Sequence, residues 1–267
     1  WPPTYITRAM NCLESEIRCT LFIRTNRGVR LTPEGERLYT RVSAAMAQLQ
    51  LAEEELTDST GLEHGSISIG ASETALSIYL LERLKHFHMT YPNIRLKIYN
   101  HSTPQAVHSV KNGEIDFAIV TTPTTAKPPL KEIRLESFRE VLVGGKTFTA
   151  LSSQTLTLAE LKNYPLICLG RETMTFAFYH QLFLSHGLEL EPDTEAATTD
   201  QVLPLVKSDL GLAFIPESMA IPAIQNHEVI PIHLQETIPC RYVCMVSDIK
   251  RPLNSAARKL KDLILHS

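Results

Sequence analysis

The chain has 267 residues, of which 43% are hydrophobic and 21% charged, which is enough for two or three compact units. The formal net charge of −3 argues against a polyanion-binding surface spread over the whole molecule. The charge is uneven, however. Residues 1–41 hold seven arginines and four glutamates, a net of +3, so the remainder carries −6. A basic N-terminal segment on an acidic body suits a nucleic-acid contact confined to that segment.

The cysteines are odd in number, scattered, and contain no CxxC pair. On a strand, Cys240 and Cys244 would lie roughly 13 Å apart, which is too far for a disulfide. No apolar run approaches the roughly 20 residues of a membrane span, and charges interrupt residues 1–20 where a signal peptide would be apolar. We therefore expect a reduced, cytoplasmic protein with no membrane partner.

The chain opens with a predicted helix over residues 4–17, in which Ile6, Met10, Leu13 and Ile17 share one apolar face. A basic β-hairpin is predicted over 21–31, and Thr32 is placed to cap the next helix. A short helix followed by an arginine-bearing hairpin is the outline of a winged helix-turn-helix. An ordinary α+β turn is the alternative that periodicity alone leaves open.

A long helix is predicted from residue 33 to about 57. Its apolar residues recur at alternating spacings of four and three, as in a heptad seam: Leu38, Val42, Ala45, Leu49, Ala52 and Leu56. At 1.5 Å per residue the helix spans roughly 37 Å, long for a helix in the core of a small domain. We expect it to dimerise, and packing against its own chain is the alternative.

After a polar linker, strands predicted at 66–71, 94–98 and 116–120 alternate with helices that begin near 73 and 103. A strand at 139–145, ending in a Gly-Gly hinge, leads to a second set of strands and helices up to about residue 215. Two tail strands and a final helix at 255–265 complete the pattern. This alternation predicts doubly wound α/β lobes with parallel sheets.

The N-terminal motif reads Leu13-Glu14, then Leu21-Phe22-x-Arg24, then Arg27-Gly28-Val29-x-Leu31-Thr32-x-x-Gly35. It closely resembles the DNA-binding domain of LysR-type transcriptional regulators, and the resemblance extends over essentially the whole chain. It implies an α/β protein with a partial winged helix-turn-helix at 1–32, a linker helix and hinge at 33–64, and an effector-binding domain at 65–267. That domain would be similar to type 2 periplasmic binding proteins, with lobe I at 65–145 and 218–267 and lobe II at 146–217. About two more helices would precede residue 4 in a complete family member, so we expect an incomplete N-terminus.

The resemblance also implies partners. Thr7 and Arg8 fall where the family has a Ser-Arg pair that reaches DNA, and Arg27 and Arg30 lie on the hairpin; solvated surface charges are the alternative for the arginines. Arg18 stands where the family has a glycine that closes the helix. Operator DNA is thus one expected partner, and a second copy of the chain, as homodimer or tetramer, is another.

Hydroxyl and amide side chains cluster at the ends of the predicted parallel strands, where ligands bind in such sheets. The candidates for the effector site are Ser72, Thr74, Ser102, Thr103, Thr121, Thr199 and Gln201. Helix capping alone is the competing explanation for each position. Taken together they predict a cleft for a small, anionic effector, to which Arg134 and Arg171 could add charge.

Motifs for catalysis are missing from the sequence. There is no GxSxG, Walker or GxGxxG sequence, and the one HxH spacing lies in a predicted helix, where the two side chains face apart. We therefore predict a regulator that is not an enzyme and needs no cofactor. The alternative is a solute-binding protein of the same two-lobed fold without a DNA role.

Overall fold

The computed structural model describes residues 3–25, 28–57 and 65–266. Helix α1 (Pro3–Glu16) leads to an antiparallel hairpin of strands β1 (Phe22–Thr25) and β2 (Gly28–Leu31). The long helix α2 (Pro33–Thr57) follows directly. These elements, residues 3–57 without 26 and 27, have the predicted order of helix, hairpin and long helix. We call α1, the hairpin and the start of α2, up to Gly35, the head.

Two polar contacts hold the base of the hairpin. The Glu14 carboxylate accepts hydrogen bonds from the backbone N–H groups of Leu21 and Phe22, at 2.6 and 3.0 Å. The Thr32 hydroxyl donates to the Thr20 carbonyl at 2.7 Å and accepts from the Gly35 N–H at 2.9 Å. Thr32 thus caps α2, as predicted, and also joins that helix to the segment before the hairpin.

Two residues of the head have backbone requirements. A Cβ atom at Gly35 would lie 2.2 Å from the carbonyl oxygen of Leu21, which explains why the motif has a glycine there. Arg18 follows α1 with a φ of 50°, the left-handed conformation that favours glycine. Arg18 therefore adopts the same backbone turn that a glycine would make in the family pattern, although arginine is less suited to it.

The first lobe is a five-stranded sheet in the order β4-β3-β5-β13-β6, in which β3, β4 and β5 are parallel and β13 is antiparallel to both of its neighbours. The strands are β3 (Gly65–Ala71), β4 (Ile94–Asn100), β5 (Phe117–Thr121), β6 (Leu130–Phe138) and β13 (Arg241–Asp248). A π-helical turn (Leu76–Leu80) joins α3 (Glu73–Ala75) to α4 (Leu81–Thr90), and α4 packs with α9 (Ser255–His266) on one face. Helix α5 (Thr103–Asn112) covers the other face through Ala106 and Val110.

The second lobe has a four-stranded sheet in the order β11-β7-β12-β8 and a parallel pair, β9 and β10. A parallel bridge between Leu166 and Leu212 connects the two sheets. The strands are β7 (Glu140–Gly144), β8 (Thr155–Leu156), β9 (Ile167–Leu169), β10 (Thr194–Ala196), β11 (Ala213–Pro216) and β12 (Ile230–Leu234). Helix α6 (Met174–Ser185) packs in one apolar cluster, while α7 (Thr199–Lys207) and α8 (Glu217–Gln225) pack in another; 3₁₀ helices occupy Lys146–Ser153 and Leu158–Asn163.

The strand pairing differs from the predicted lobe boundaries at 145 and 217. Strand β7 pairs with β11 and β12, so residues 140–144 and 217–234 belong to the second lobe. The chain crosses between lobes at Arg139 and near Cys240, and the predicted hinge glycines, Gly144 and Gly145, lie inside the second lobe instead. The physical reason is that Val143 is fully buried against α7 and α8, where it contributes to the core of that lobe.

None of the described helices is both long enough and apolar enough to cross a membrane.

We expect Gly35→Ala to destabilise the head by about 2 kcal/mol, because the new methyl group collides with backbone and cannot escape by a rotamer change. Hydrogen exchange of the amides in residues 21–35 measures the effect. The exposed neighbour Glu36→Ala is the matched control and should leave exchange unchanged. If the amides of the two variants were equally protected from hydrogen exchange, the close approach of Gly35 to the Leu21 carbonyl would be contradicted.

Candidate functional site

A cleft of about 240 Å³ lies between the two lobes, at the carboxyl ends of their parallel strands. On the first lobe it is bounded by the segments that follow β3, β4 and β5. On the second lobe it is bounded by the segments that follow β9 and β10. Helices α5, α6 and α7 all begin at this cleft, so the positive ends of three helix dipoles converge there.

The structure places six of the seven predicted effector-site side chains on this cleft: Ser72, Thr74, Ser102, Thr103, Thr121 and Thr199. Gln201 is the exception. Its Oε1 accepts a hydrogen bond from the Ala197 N–H at 2.9 Å, so it helps to organise the start of α7. The lining also includes Thr173, Thr175 and Thr198, which are hydroxyl residues at the same predicted strand ends, and residues that the sequence did not point to, among them Glu73, Asn100, His101 and Glu172.

Several of the cleft hydroxyls already have partners within the protein. The Ser102 hydroxyl donates to Gln105 Oε1 at 3.0 Å, in a capping box at the start of α5. The Thr103 hydroxyl makes a long contact of 3.4 Å with the Thr121 carbonyl. Capping and ligand binding are compatible, because a hydroxyl offers one donor and two acceptor positions.

One polar contact joins the two walls of the cleft. The hydroxyl oxygens of Thr74, on the first lobe, and Thr199, on the second, are 3.3 Å apart. Glu73 begins α3 immediately before Thr74, and Asp200 follows Thr199 in α7. Burial raises the pKa of Glu73, and the nearby Asp200 raises it further.

A buried arginine lies beneath the cleft, where the chain crosses between the lobes. The side chain of Arg241, at the start of β13, is 1% exposed and pairs at 2.6 Å with the side chain of Glu140, at the start of β7, which is buried to the same extent. Its guanidinium also donates to the Thr121 hydroxyl at 2.9 Å and to the Thr175 hydroxyl at 3.1 Å, and its Nε donates to the Thr122 carbonyl at 3.0 Å. One side chain therefore contacts both lobes and two cleft-lining threonines.

The charges of the cleft differ from those of the predicted anion site. Among its described lining residues, Glu73 and Glu172 are the charged carboxylates, and no lysine or arginine is present. Arg171 is exposed and pairs with Glu195 at 3.5 Å, while Arg134 is exposed and lies over the Tyr242 ring. An anion in this cleft would therefore be bound by helix N-termini and hydroxyls.

The predicted DNA-binding residues lie on the head. Thr7 and Arg8 are exposed on α1, and Arg30 is exposed on β2. Arg27 lies outside the described residues. The structure thus leaves Arg8 and Arg30 accessible to a large anionic partner.

Comparison with known proteins agrees with this architecture. The family model described as "LysR substrate binding domain" matches residues 60–267, and "Bacterial regulatory helix-turn-helix protein, lysR family" matches residues 2–36. The HTH-type transcriptional regulator YofA of Bacillus velezensis is 25% identical over 228 residues, which is 85% of this chain and 76% of YofA.

Two solved structures share the fold. The full-length virulence activator AphB of Vibrio cholerae superposes with a TM-score of 0.64 at 19% identity, over 100% of this chain and 90% of AphB. The effector-binding domain of QuiR in complex with shikimate superposes with a TM-score of 0.67 at 18% identity, over 76% of this chain and 96% of that domain.

These matches cover both the head and the two-lobed domain. The chain belongs to the LysR family of transcriptional regulators. It joins a DNA-binding helix-turn-helix to an effector-binding domain, and its relatives are regulators rather than enzymes. A solute-binding protein without a DNA role does not account for the match at residues 2–36.

We expect Arg241→Met to destabilise the protein by about 3–5 kcal/mol at neutral pH, because Glu140 would stay buried without its partner. Burial already raises the pKa of Glu140 above its ordinary value of 4.5, and loss of the guanidinium raises it further. Folded Arg241→Met then binds a proton that the unfolded chain has released, so its stability falls as pH rises above 4.5.

Urea unfolding at pH 5 and pH 8 measures this effect. The double variant Arg241→Met/Glu140→Gln is the control, since it removes both charges and should recover much of the loss and most of the added pH dependence. A single variant whose stability loss is equal at both pH values would contradict the argument.

Proposed function

We propose that the cleft binds the effector of this regulator through Ser72, Thr74, Ser102, Thr103, Thr121 and Thr199, with Gln201 holding the start of α7. The observation that carries this proposal is the convergence of these hydroxyls with the N-termini of three helices on a cleft of about 240 Å³. The position agrees with the general rule that ligands bind beyond the carboxyl ends of parallel strands. The related domain of QuiR, which has a shikimate complex, makes a small polar molecule a reasonable class.

Some features of the cleft favour an anionic effector, as predicted, and others oppose it. Helix dipoles and hydroxyl donors favour a carboxylate at the starts of α5, α6 and α7. Glu73 and Glu172 oppose a ligand with several negative charges. We propose a small polar effector with a single carboxylate rather than a multiply charged anion.

The effector would act by changing how the lobes close. Its binding bridges walls that are otherwise joined at the cleft by the weak Thr74–Thr199 contact, while Arg241 keeps the crossover between the lobes fixed. A ligand that prefers one degree of closure shifts the population toward it by its difference in affinity. The change would reach the head through α2.

Operator DNA and a second copy of the chain are the proposed macromolecular partners. Thr7, Arg8, Arg27 and Arg30 would contact DNA, with arginine able to reach a guanine edge or a phosphate. The heptad seam of α2 supports self-association as a homodimer or tetramer, since Val42 and Leu49 are 48% and 59% exposed. A regulator of operator DNA works where the chromosome is, so we propose a cytoplasmic location.

We expect Thr103→Val to weaken effector binding about fivefold, because one hydrogen bond of about 1 kcal/mol is lost while the side-chain shape is kept. Ligands come from a thermal-shift screen of the full chain against small carboxylates, amino acids and polyols, and affinities are then measured by calorimetry. Thr155→Val, at an exposed position at the start of β8 and outside the cleft, is the matched control. Equal affinity in both variants would remove Thr103 from the site, and a screen without any stabilising compound would count against the cleft as a sensor.

Arg8→Ala should reduce affinity for DNA by about 1–3 kcal/mol and relax sequence preference if it reads a base. Arg30→Ala should lower affinity evenly across sequences and reduce the salt slope by about one, as loss of a phosphate contact does. Fluorescence anisotropy with duplexes selected from a random pool measures both. Arg258→Ala, on α9 of the first lobe, serves as the control for general charge loss.

A further inference from the structure

A small inner cavity of about 20 Å³ lies behind the cleft, between the lobes. Cleft and cavity share Thr74, Leu169, Thr175 and Thr199 in their linings, so the Thr74–Thr199 contact stands between them. The deeper wall is formed by Glu140, Tyr179 and Arg241, together with apolar residues that include Phe214. A space of this size admits one water-sized group.

Two buried polar atoms on this wall have no hydrogen-bond partner: Glu140 Oε2 and the Tyr179 hydroxyl. Both residues are well over nine-tenths buried, at 6% and 4% exposure. Arg241 does not bond to the second oxygen of Glu140, because its Nη1 donates to Oε1 and its other hydrogen bonds go to threonines. Buried polar groups are ordinarily paired, so two unpaired atoms in one cavity indicate that a partner enters it.

The chemistry of these atoms selects the kind of partner. A carboxylate oxygen only accepts hydrogen bonds, whereas a phenol both donates and accepts. A hydroxyl has the chemistry that both atoms need, since it can donate to Glu140 Oε2 and accept from Tyr179. A second carboxylate would face Glu140, and an ammonium group would be buried beside the Arg241 guanidinium, so both charged groups are disfavoured.

We propose that the inner cavity receives a hydroxyl group of the effector, so that this regulator responds to a hydroxylated small molecule and discriminates against its deoxy analogue. This inference rests on the proposed binding of the effector in the cleft. Glu140 and Tyr179 then contact the ligand, while Thr74 and Thr199 separate to let its hydroxyl pass. The hydroxyl of the ligand would replace any water that occupies the cavity in the free protein.

The experiment uses the full chain and three matched pairs of compounds: glycolate and acetate, 3-hydroxypropanoate and propanoate, and 3-hydroxybenzoate and benzoate. We expect the hydroxylated member of a bound pair to have at least about tenfold higher affinity, because a site built to pair a hydroxyl leaves its own groups unpaired with the analogue. Tyr179→Phe should reduce that ratio to about threefold or less. Tyr164→Phe, on a ring outside the cavity, should leave it unchanged.

A second measurement needs no ligand. Because Tyr179→Phe removes a buried hydroxyl that has no partner, the unfolding midpoint of the free protein should stay equal or rise by about 2 °C. A midpoint that falls by several degrees would show that the hydroxyl serves the fold, and it would overturn the proposal. This comparison can overturn the proposal even if no compound of the panel binds.

The outcomes also separate this inference from the proposed function. Deoxy and hydroxylated compounds that bind equally, with affinity lost in Thr103→Val, would keep the cleft as the effector site and refute the hydroxyl pocket. If Tyr179→Phe kept the ratio of affinities between hydroxylated and deoxy compounds, the hydroxyl of the ligand would bind elsewhere, and the hydroxyl pocket would again be refuted.

Discussion

The buried ion pair between Arg241 and Glu140 is the interaction on which the arrangement of the two lobes depends. Each residue begins a strand immediately after one of the two crossovers, so the pair joins the sheets where the chain itself joins them. Such a pair contributes little net stability compared with apolar packing, but breaking it is costly, since one charge is left without compensation. Its hydrogen bonds to Thr121 and Thr175 also fix the side chains at the base of the cleft. The geometry of the site is thus coupled to the contact that holds the lobes together.

Much of the fold could be predicted because its elements carry strong local signals. Strand β5 is a short apolar run, the isoleucines of β3 alternate with small residues, and the helices after β3 and β4 begin at the serine caps Ser72 and Ser102. Strand β6 was not predicted, since its lysine and glutamate residues follow a proline-rich segment and resemble a surface loop. Helix α8, which contains Pro222, was not predicted either. The lobe boundary could not be predicted, because it depends on which strands pair and strand pairing is non-local.

The candidate site also has residues that the sequence could predict and residues that it could not. Six hydroxyl side chains could be found because strand ends and helix caps are visible in the sequence, and this rule placed them around one cleft. Gln201 met the same rule, yet its side chain caps the backbone. Arg241 and Tyr179 had no comparable signal. An arginine before an apolar strand and a tyrosine within an apolar helix are ordinary surface and core residues until the fold places both, with Glu140, around one cavity.

The order of strands in the first sheet has a consequence for synthesis of the chain. Strand β13, which is made almost last, lies between β5 and β6, and within the described residues β13 is the one strand that pairs with β6. The second lobe, by contrast, is one continuous stretch from Glu140 to the segment before Arg241. On the ribosome, the second lobe can fold as soon as it emerges, whereas the first lobe waits with unpaired strand edges although most of it was made earlier. A product that ends before residue 241 would therefore contain a foldable second lobe attached to an aggregation-prone, incomplete first one.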